Sequence, residues 1–148
     1  ERVVMNRHAE IGAEILGRSR IPLFQLAAEV ALTHHERWDG RGYPHGLAGE
    51  HIPLAGRIVA IVDFFDALTM DRCYRPAYDD TRALQMLQAE RGHAFDPQLV
   101  DLFAQQLSRM VALRDAVNHV EPSFADLAQG VPALTALTHG EPPAALPV

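Results

Sequence analysis

Apolar residues recur at helical intervals through most of the first 113 positions, and no period-2 alternation of useful length interrupts them. The chain therefore reads as all-α, a helical bundle. In the first segment Ile11 and Ile15 follow His8 at i+3 and i+7, which sets this histidine on the apolar stripe and points it toward the interior. Gly17 is a natural stop. A second helix starts at about Pro22, a residue suited to a first turn, and runs to the pair His34 and His35. Leu23, Ala27, Val30 and His34 form one row on it, and Phe24, Ala28, Ala31 and His35 the next. Neighbours on a helix are about 100° apart, so the two imidazoles fan out from its C-terminal end yet can converge on one site.

The stretch from Trp38 to Pro53 reads as a loop, with Gly40, Gly42, Gly46 and Gly49 available for tight or positive-φ turns. A third helix, "LAGRIVAIVDFFDALTM", buries Leu54, Ile58, Ile61, Phe65 and Leu68, while Val59, Asp63 and Asp66 line an adjacent row. Two carboxylates thus project from one side of an otherwise apolar helix. "DRCYRPAYDD" breaks the pattern, and Asp80 is the expected N-cap of a fourth helix carrying Leu84 and Leu87. After Gly92, Asp96 caps a fifth, with Pro97 in its first turn and Val100, Phe103 and Leu107 inward. Beyond about Arg114 the pattern weakens into a proline-rich tail. The expected organisation is one domain over 1–113 and a mobile extension over 114–148.

Composition narrows the function classes. A chain of 148 residues with 48% hydrophobic content suits a single core, burying roughly two thirds of the unfolded surface. Thirteen basic against 19 acidic residues leave −6, so any phosphate binding must be local and duplex nucleic acid is a poor partner. The single cysteine, Cys73, excludes an intramolecular disulfide and fits a reducing cytoplasm. The longest aliphatic run, Ile58 to Val62, is far below the roughly 20 residues of a membrane span, so no membrane association is expected. The chain opens at Glu1 inside a helical pattern and reads as a piece of something longer.

His8, His34, His35 and Asp63 place three imidazoles and a carboxylate on three helices. Such groups ligate divalent Fe, Mn, Zn or Ni, and helices hold them stiffly enough to set coordination geometry. Each has a plainer reading, an imidazole hydrogen-bonded in a core or an aspartate capping a neighbour. Their joint occurrence raises the case for a metal and leaves both readings open, because a histidine pair and a mid-helix acid on an apolar face carry desolvation costs unless partnered. Arg72 and Arg75, three apart, form either a patch for phosphate oxygens or surface arginines near a helix C-terminus. Tyr43 either stacks on a base or hydrogen-bonds a phosphate, or it anchors its loop.

The run "HHERWDGRGYPHGLAGEHIPLAGRIVAIVDFFDALTMDRCYR", continued by "GHAFDPQLVDLF", resembles the second half of an HD-GYP domain, the bacterial hydrolases of cyclic di-GMP. With "RHAEIGAEIL" the likeness covers about residues 4 to 107. It implies His8, His34, His35 and Asp63 as metal ligands, with Asp66 behind them and Glu36, Asp39, Gly40, Gly42 and Pro44 shaping the loop. It implies phosphate-gripping roles for Arg72 and Arg75, and places Tyr43 at the mouth of the pocket. The cofactor implied is a divalent metal, Fe or Mn ahead of Ni or Zn, binuclear in the complete domain. The partners implied are cyclic di-GMP and GGDEF-domain proteins meeting the GYP loop, with a homodimer left open; such domains often follow a receiver, as in two-component response regulators. Cys73 stands where proline is usual, and Gly56 where alanine is usual. The His-Asp dyad that names the family is expected before Glu1. The function implied is hydrolysis of cyclic di-GMP to pGpG or GMP by the full-length parent, this segment alone being weak or inactive. The alternatives are a non-catalytic partner-binding module using the GYP loop, and a phosphohydrolase of another cyclic dinucleotide.

Overall fold

The computed structural model describes residues 2–71 and 76–118, and every regular element among them is helical. The order is α1 (Arg2–Gly17), α2 (Pro22–Thr33), a 3-10 turn (Gly49–His51), α3 (Leu54–Thr69), α4 (Asp80–Ala89), α5 (Pro97–Gln105) and α6 (Leu107–Asn118). The chain divides into two units, one ending at Met110 and one starting at Val111; the boundary expected at 113/114 falls inside the same helix.

Small side chains decide how α1 meets α2. Ala9 is fully buried, and a Cβ on Gly12 would sit 3.4 Å from the Cβ of Ala31, an ordinary contact. The inward stripe of α1 is therefore the Ala9 and Gly12 face, one position round from the stripe predicted. His8 is consequently exposed, and Ile11 and Ile15 are 47% and 65% exposed. The turn between the helices is closed by the Gln25 side-chain amide, which donates to the carbonyls of Gly17 and Ser19. Leu54 at 53% and Ile58 at 44% exposure likewise depart from the buried row expected of them.

The core lies where α3, α4 and α5 meet. Ile61, Leu87, Phe95 and Val100 form it, with Phe64, Leu84 and Phe103 packed around them. Phe64 meets Phe95, and Phe65 meets Phe103, each pair with ring centroids 5.0 Å apart. Helix ends follow the local chemistry. Asp96 accepts from the Gln98 amide at 2.8 Å and starts α5 with Pro97 in the first turn, as read from the sequence. For α4 the cap is Asp79, which accepts from Arg82 N at 2.9 Å; Asp80 is already the first helical residue. Two adjacent aspartates offered two registers, and the extended backbone at Asp79 decides between them.

The Asp96 carboxylate has a second partner, the Arg57 guanidinium of α3 at 2.7 Å, in a pair with only 16% and 5% side-chain exposure. Arg57 also stacks 5.8 Å from the Trp38 ring. Trp38 N and Asp39 N donate to Ala94 O and His93 O at 3.0 and 2.8 Å. The long loop after α2 is thus fastened to the turn between α4 and α5. No helix among the described residues is long and apolar enough to cross a membrane.

Candidate metal centre

Three of the four predicted ligands come together. His8 projects from α1, and His34 and His35 follow the last turn of α2, so that one nitrogen of each ring lies within 4.8 Å of the others. Ring centroids are 5.7 Å apart for His8 and His34, 4.9 Å for His8 and His35, and 4.0 Å for His34 and His35.

The backbone selects the tautomer of His34. Its own amide completes α2 by donating to Val30 O at 3.0 Å, and its Nδ1 lies 2.9 Å from the same carbonyl. A carbonyl only accepts, so Nδ1 carries the proton and Nε2 keeps a lone pair, the usual arrangement behind a metal-binding imidazole. His35 Nε2 and His8 Nε2 face each other at 3.0 Å, a distance at which one must donate to the other's lone pair. Burial, and then the neighbouring His34 and His8, lower the His35 pKa to about 4 against the pull of Asp63. His35 is therefore neutral at pH 7, as a ligand must be. The donor set fits a divalent cation, with His34 Nε2 presenting a lone pair and the proton between His35 Nε2 and His8 Nε2 having to leave on binding.

Asp63, on α3, is exposed and lies outside the tight trio, but it lines the same cleft of about 300 Å³ as His34, His35, Arg37 and Phe64. Its charge is near enough to act on His35. A larger cavity of about 710 Å³, beside α2, is lined by Glu29, Thr33 and His45 among others; among the described residues the cluster of three possible metal ligands is His8, His34 and His35 instead. Asp66 is half-buried one turn further along α3.

The loop rests on the histidines. Tyr43 N donates to His35 O at 3.2 Å, and the Tyr43 ring lies 4.8 Å from the His35 ring, tilted by 31°. The Tyr43–Pro44 peptide is cis. Glu36 is buried, and its carboxylate accepts from His45 N at 2.7 Å and Leu47 N at 3.0 Å. Gly40, Gly46 and Gly49 take positive φ, as the loop reading anticipated. Gly42 is there for room, since a Cβ would overlap the backbone of Glu36 and Arg37.

Arg37 lines the cleft and was not singled out from the sequence. It grips Asp39 through two bonds of 3.2 and 3.0 Å and reaches Glu90 at 3.3 Å. The Arg37 bond lowers the Asp39 carboxyl to about 2, so Asp39 is an anchor already spoken for rather than a proton carrier. Its pairing partner two positions on was the available signal. Arg72 and Arg75, with Cys73, lie outside the described residues.

The chain is similar in sequence and fold to known proteins. The HD domain model matches residues 1–99. The chain is 46% identical over 114 residues to 3'3'-cGAMP-specific phosphodiesterase 2 of Vibrio cholerae, covering 77% of this chain and 22% of that protein. It is 53% identical over 98 residues to the cyclic di-GMP phosphodiesterase response regulator RpfG of Xanthomonas campestris pv. campestris, covering 66% and 26%. The crystal structure of a cyclic GMP-AMP specific phosphodiesterase of V. cholerae (V-cGAP3) superposes with a TM-score of 0.56 at 28% identity, over 79% of this chain and 27% of that one. The chain spans about a quarter of the length of the curated relatives it matches.

Proposed function

Because the chain belongs to the HD domain family, we propose that it is the C-terminal part of an HD-GYP phosphodiesterase and contributes to hydrolysis of a cyclic dinucleotide, cyclic di-GMP first. The convergence of His8, His34 and His35 beside the cleft that Asp63 lines carries this reading. These four residues would hold a divalent cation, Mn or Fe ahead of Ni or Zn. When bound, the cation supplies Lewis-acid charge to phosphate oxygens and makes water more acidic.

The chain's own residues do the rest. Val30 O fixes the His34 ring, so that its lone pair is presented without a search over rotamers. His35 stays neutral, so the centre does not repel a cation through its own charge. With a net charge of −6 the surface does not attract a dianion, and the grip on phosphate falls to Arg72 and Arg75. Tyr43, held against His35, offers a ring on which a guanine can stack at the cleft mouth. In the reaction a water oxygen bonds to phosphorus as the bond to the 3′ oxygen breaks, and that oxygen takes up a proton to leave linear pGpG. A second hydrolysis gives GMP. We assign this work to residues 1–113, with the complete binuclear centre requiring the His-Asp dyad of the longer protein, and leave 114–148 as an extension. The GYP loop is also our candidate surface for GGDEF partners.

The relative named for 3'3'-cGAMP favours a second reading in which that mixed dinucleotide is the substrate. One assay decides between them. The longer protein carrying this chain, loaded with Mn²⁺, is given cyclic di-GMP and 3'3'-cGAMP separately, and linear products are followed by chromatography. Cyclic di-GMP is expected to turn over faster, with His35→Ala abolishing the reaction. Unchanged turnover by that variant refutes the site, and faster 3'3'-cGAMP cleavage transfers the assignment to the second substrate.

A further inference from the structure

We propose that Glu36 is the positioning residue of this site, a buried carboxylate that clamps the loop of residues 42–47 so that Tyr43 stays registered against His35. The inference rests on the reading above only for what the loop is used for; the clamp itself stands on geometry. Glu36 is 3% exposed. A carboxylate so placed must be fully hydrogen-bonded to be tolerated, and each of its two oxygens has one donor, His45 N and Leu47 N. Both donors are backbone amides on the far side of Tyr43, so the side chain reaches across the loop rather than along its own helix end.

Three further contacts close the wrap. The Glu36 amide donates to Thr33 O at 3.0 Å, tying the residue to the end of α2. Gly42 lies against the Glu36 backbone with no room for a Cβ. Tyr43 N donates to His35 O. The loop therefore leaves the histidine pair, folds back over the 35–36 peptide and is pinned on both sides of the tyrosine. Its ring has one seat, 4.8 Å from the His35 ring. The side chain must be a glutamate for two reasons. A glutamine has one carbonyl oxygen and would turn its NH₂ against one of the two N–H groups. An aspartate is one methylene short of spanning to both.

Hydrogen exchange and Mn²⁺ titration on the 148-residue chain test the clamp. In Glu36→Gln the amides of Tyr43, His45 and Leu47 are expected to exchange roughly 10- to 100-fold faster, the consequence of one opposed donor pair. Mn²⁺ affinity is expected to stay unchanged, because no donor nitrogen is touched. If that variant does not fold, Gly42→Ala lifts the same loop while leaving the carboxylate in place, and the same separation of exchange from Mn²⁺ binding is expected. Unchanged exchange in the folded variants overturns the proposal, and so does a loss of Mn²⁺ affinity in parallel with the loop, which would make Glu36 a support of the histidines. In the longer protein the loss should enter kcat/KM through KM, the mark of a contact made equally to bound substrate and transition state. A wild-type protein that cleaves no cyclic dinucleotide, yet shows the exchange and Mn²⁺ results, would sink the functional reading and leave the clamp intact.

Discussion

Replacing Gly56 by alanine, the residue usual at this point of the resembled motif, should destabilise this protein. In isolation the change ought to help, since glycine inside a helix costs about 1 kcal/mol relative to alanine. Here α3 crosses the end of α2 at Gly56, which is buried. A Cβ would overlap Thr33 Oγ1 and lie 2.9 Å from Thr33 Cβ and 3.3 Å from its carbonyl carbon. Thr33 cannot turn aside freely, because it is 4% exposed and its hydroxyl donates to Glu29 O at 2.7 Å. Rotating it away forfeits about 1 kcal/mol, and pushing the helices apart costs the roughly 1–3 kcal/mol of an overpacked core. The balance is a net loss of about 1–3 kcal/mol, read as a lower urea midpoint by circular dichroism with an unchanged slope. Thr33→Ala in the same chain removes the hydroxyl that stands in the way but keeps the Cβ at 2.9 Å, so the double variant should recover only part of the loss, a coupling of about 1 kcal/mol. Because His34 follows Thr33 directly, Mn²⁺ affinity should fall in the single variant and return in part in the double one. A Gly56→Ala protein that is more stable than wild type, whatever residue occupies position 33, refutes the argument.

Other measurements probe the remaining links. His35→Ala removes one of three clustered nitrogens, and Mn²⁺ affinity by calorimetry should fall by more than the roughly 10- to 100-fold typical of losing a residue behind a ligand. In the metal-free chain the His35 ring proton should titrate near pH 4 by NMR, below the ordinary 6.5. The unfolded chain then binds a proton that the folded chain refuses between those values, so stability should fall as pH drops from 6.5 toward 4; a His35 midpoint at or above 6.5 contradicts this. Asp96→Ala strips α5 of its cap and leaves Arg57 unpaired at 16% side-chain exposure, a loss of about 3–5 kcal/mol in urea unfolding. Asp101→Ala breaks an equally short but exposed pair with Arg91 and should leave the midpoint where it was.

The sequence made some parts of this molecule legible because their physics is local. Pro22 and the Asp96-Pro97 pair mark helix starts through the chemistry of one turn, and both α2 and α5 begin there. Ile61, Phe65, Leu87 and Val100 read as core by periodicity and are buried. What periodicity cannot weigh is which of two neighbouring stripes packs. On α1 it marked His8, Ile11 and Ile15, the larger side chains, whereas close approach to α2 is governed by the smallest ones, Ala9 and Gly12. The Asp79-Asp80 choice failed for a similar reason, because capping depends on backbone angles one residue away and not on which aspartate sits nearer the apolar run.

The error on α1 bears on the centre itself. A histidine on the buried stripe would have met His34 and His35 inside the bundle, shut off from substrate. Turned by one position, His8 stands at the edge of the α1–α2 contact, where its ring still comes within 3.0 Å of His35 while remaining exposed. Asp63 is exposed in the same way. His8, His34, His35 and Asp63 would hold a cation at a solvent-accessible edge, where it would supply Lewis-acid charge to a bound phosphate. The deeper, rigid part of the arrangement lies behind the rings, in Val30 O against His34 and Thr33 wedged against Gly56. Packing therefore fixes where the His34 and His35 nitrogens stand, while His8 and Asp63 remain open to solvent.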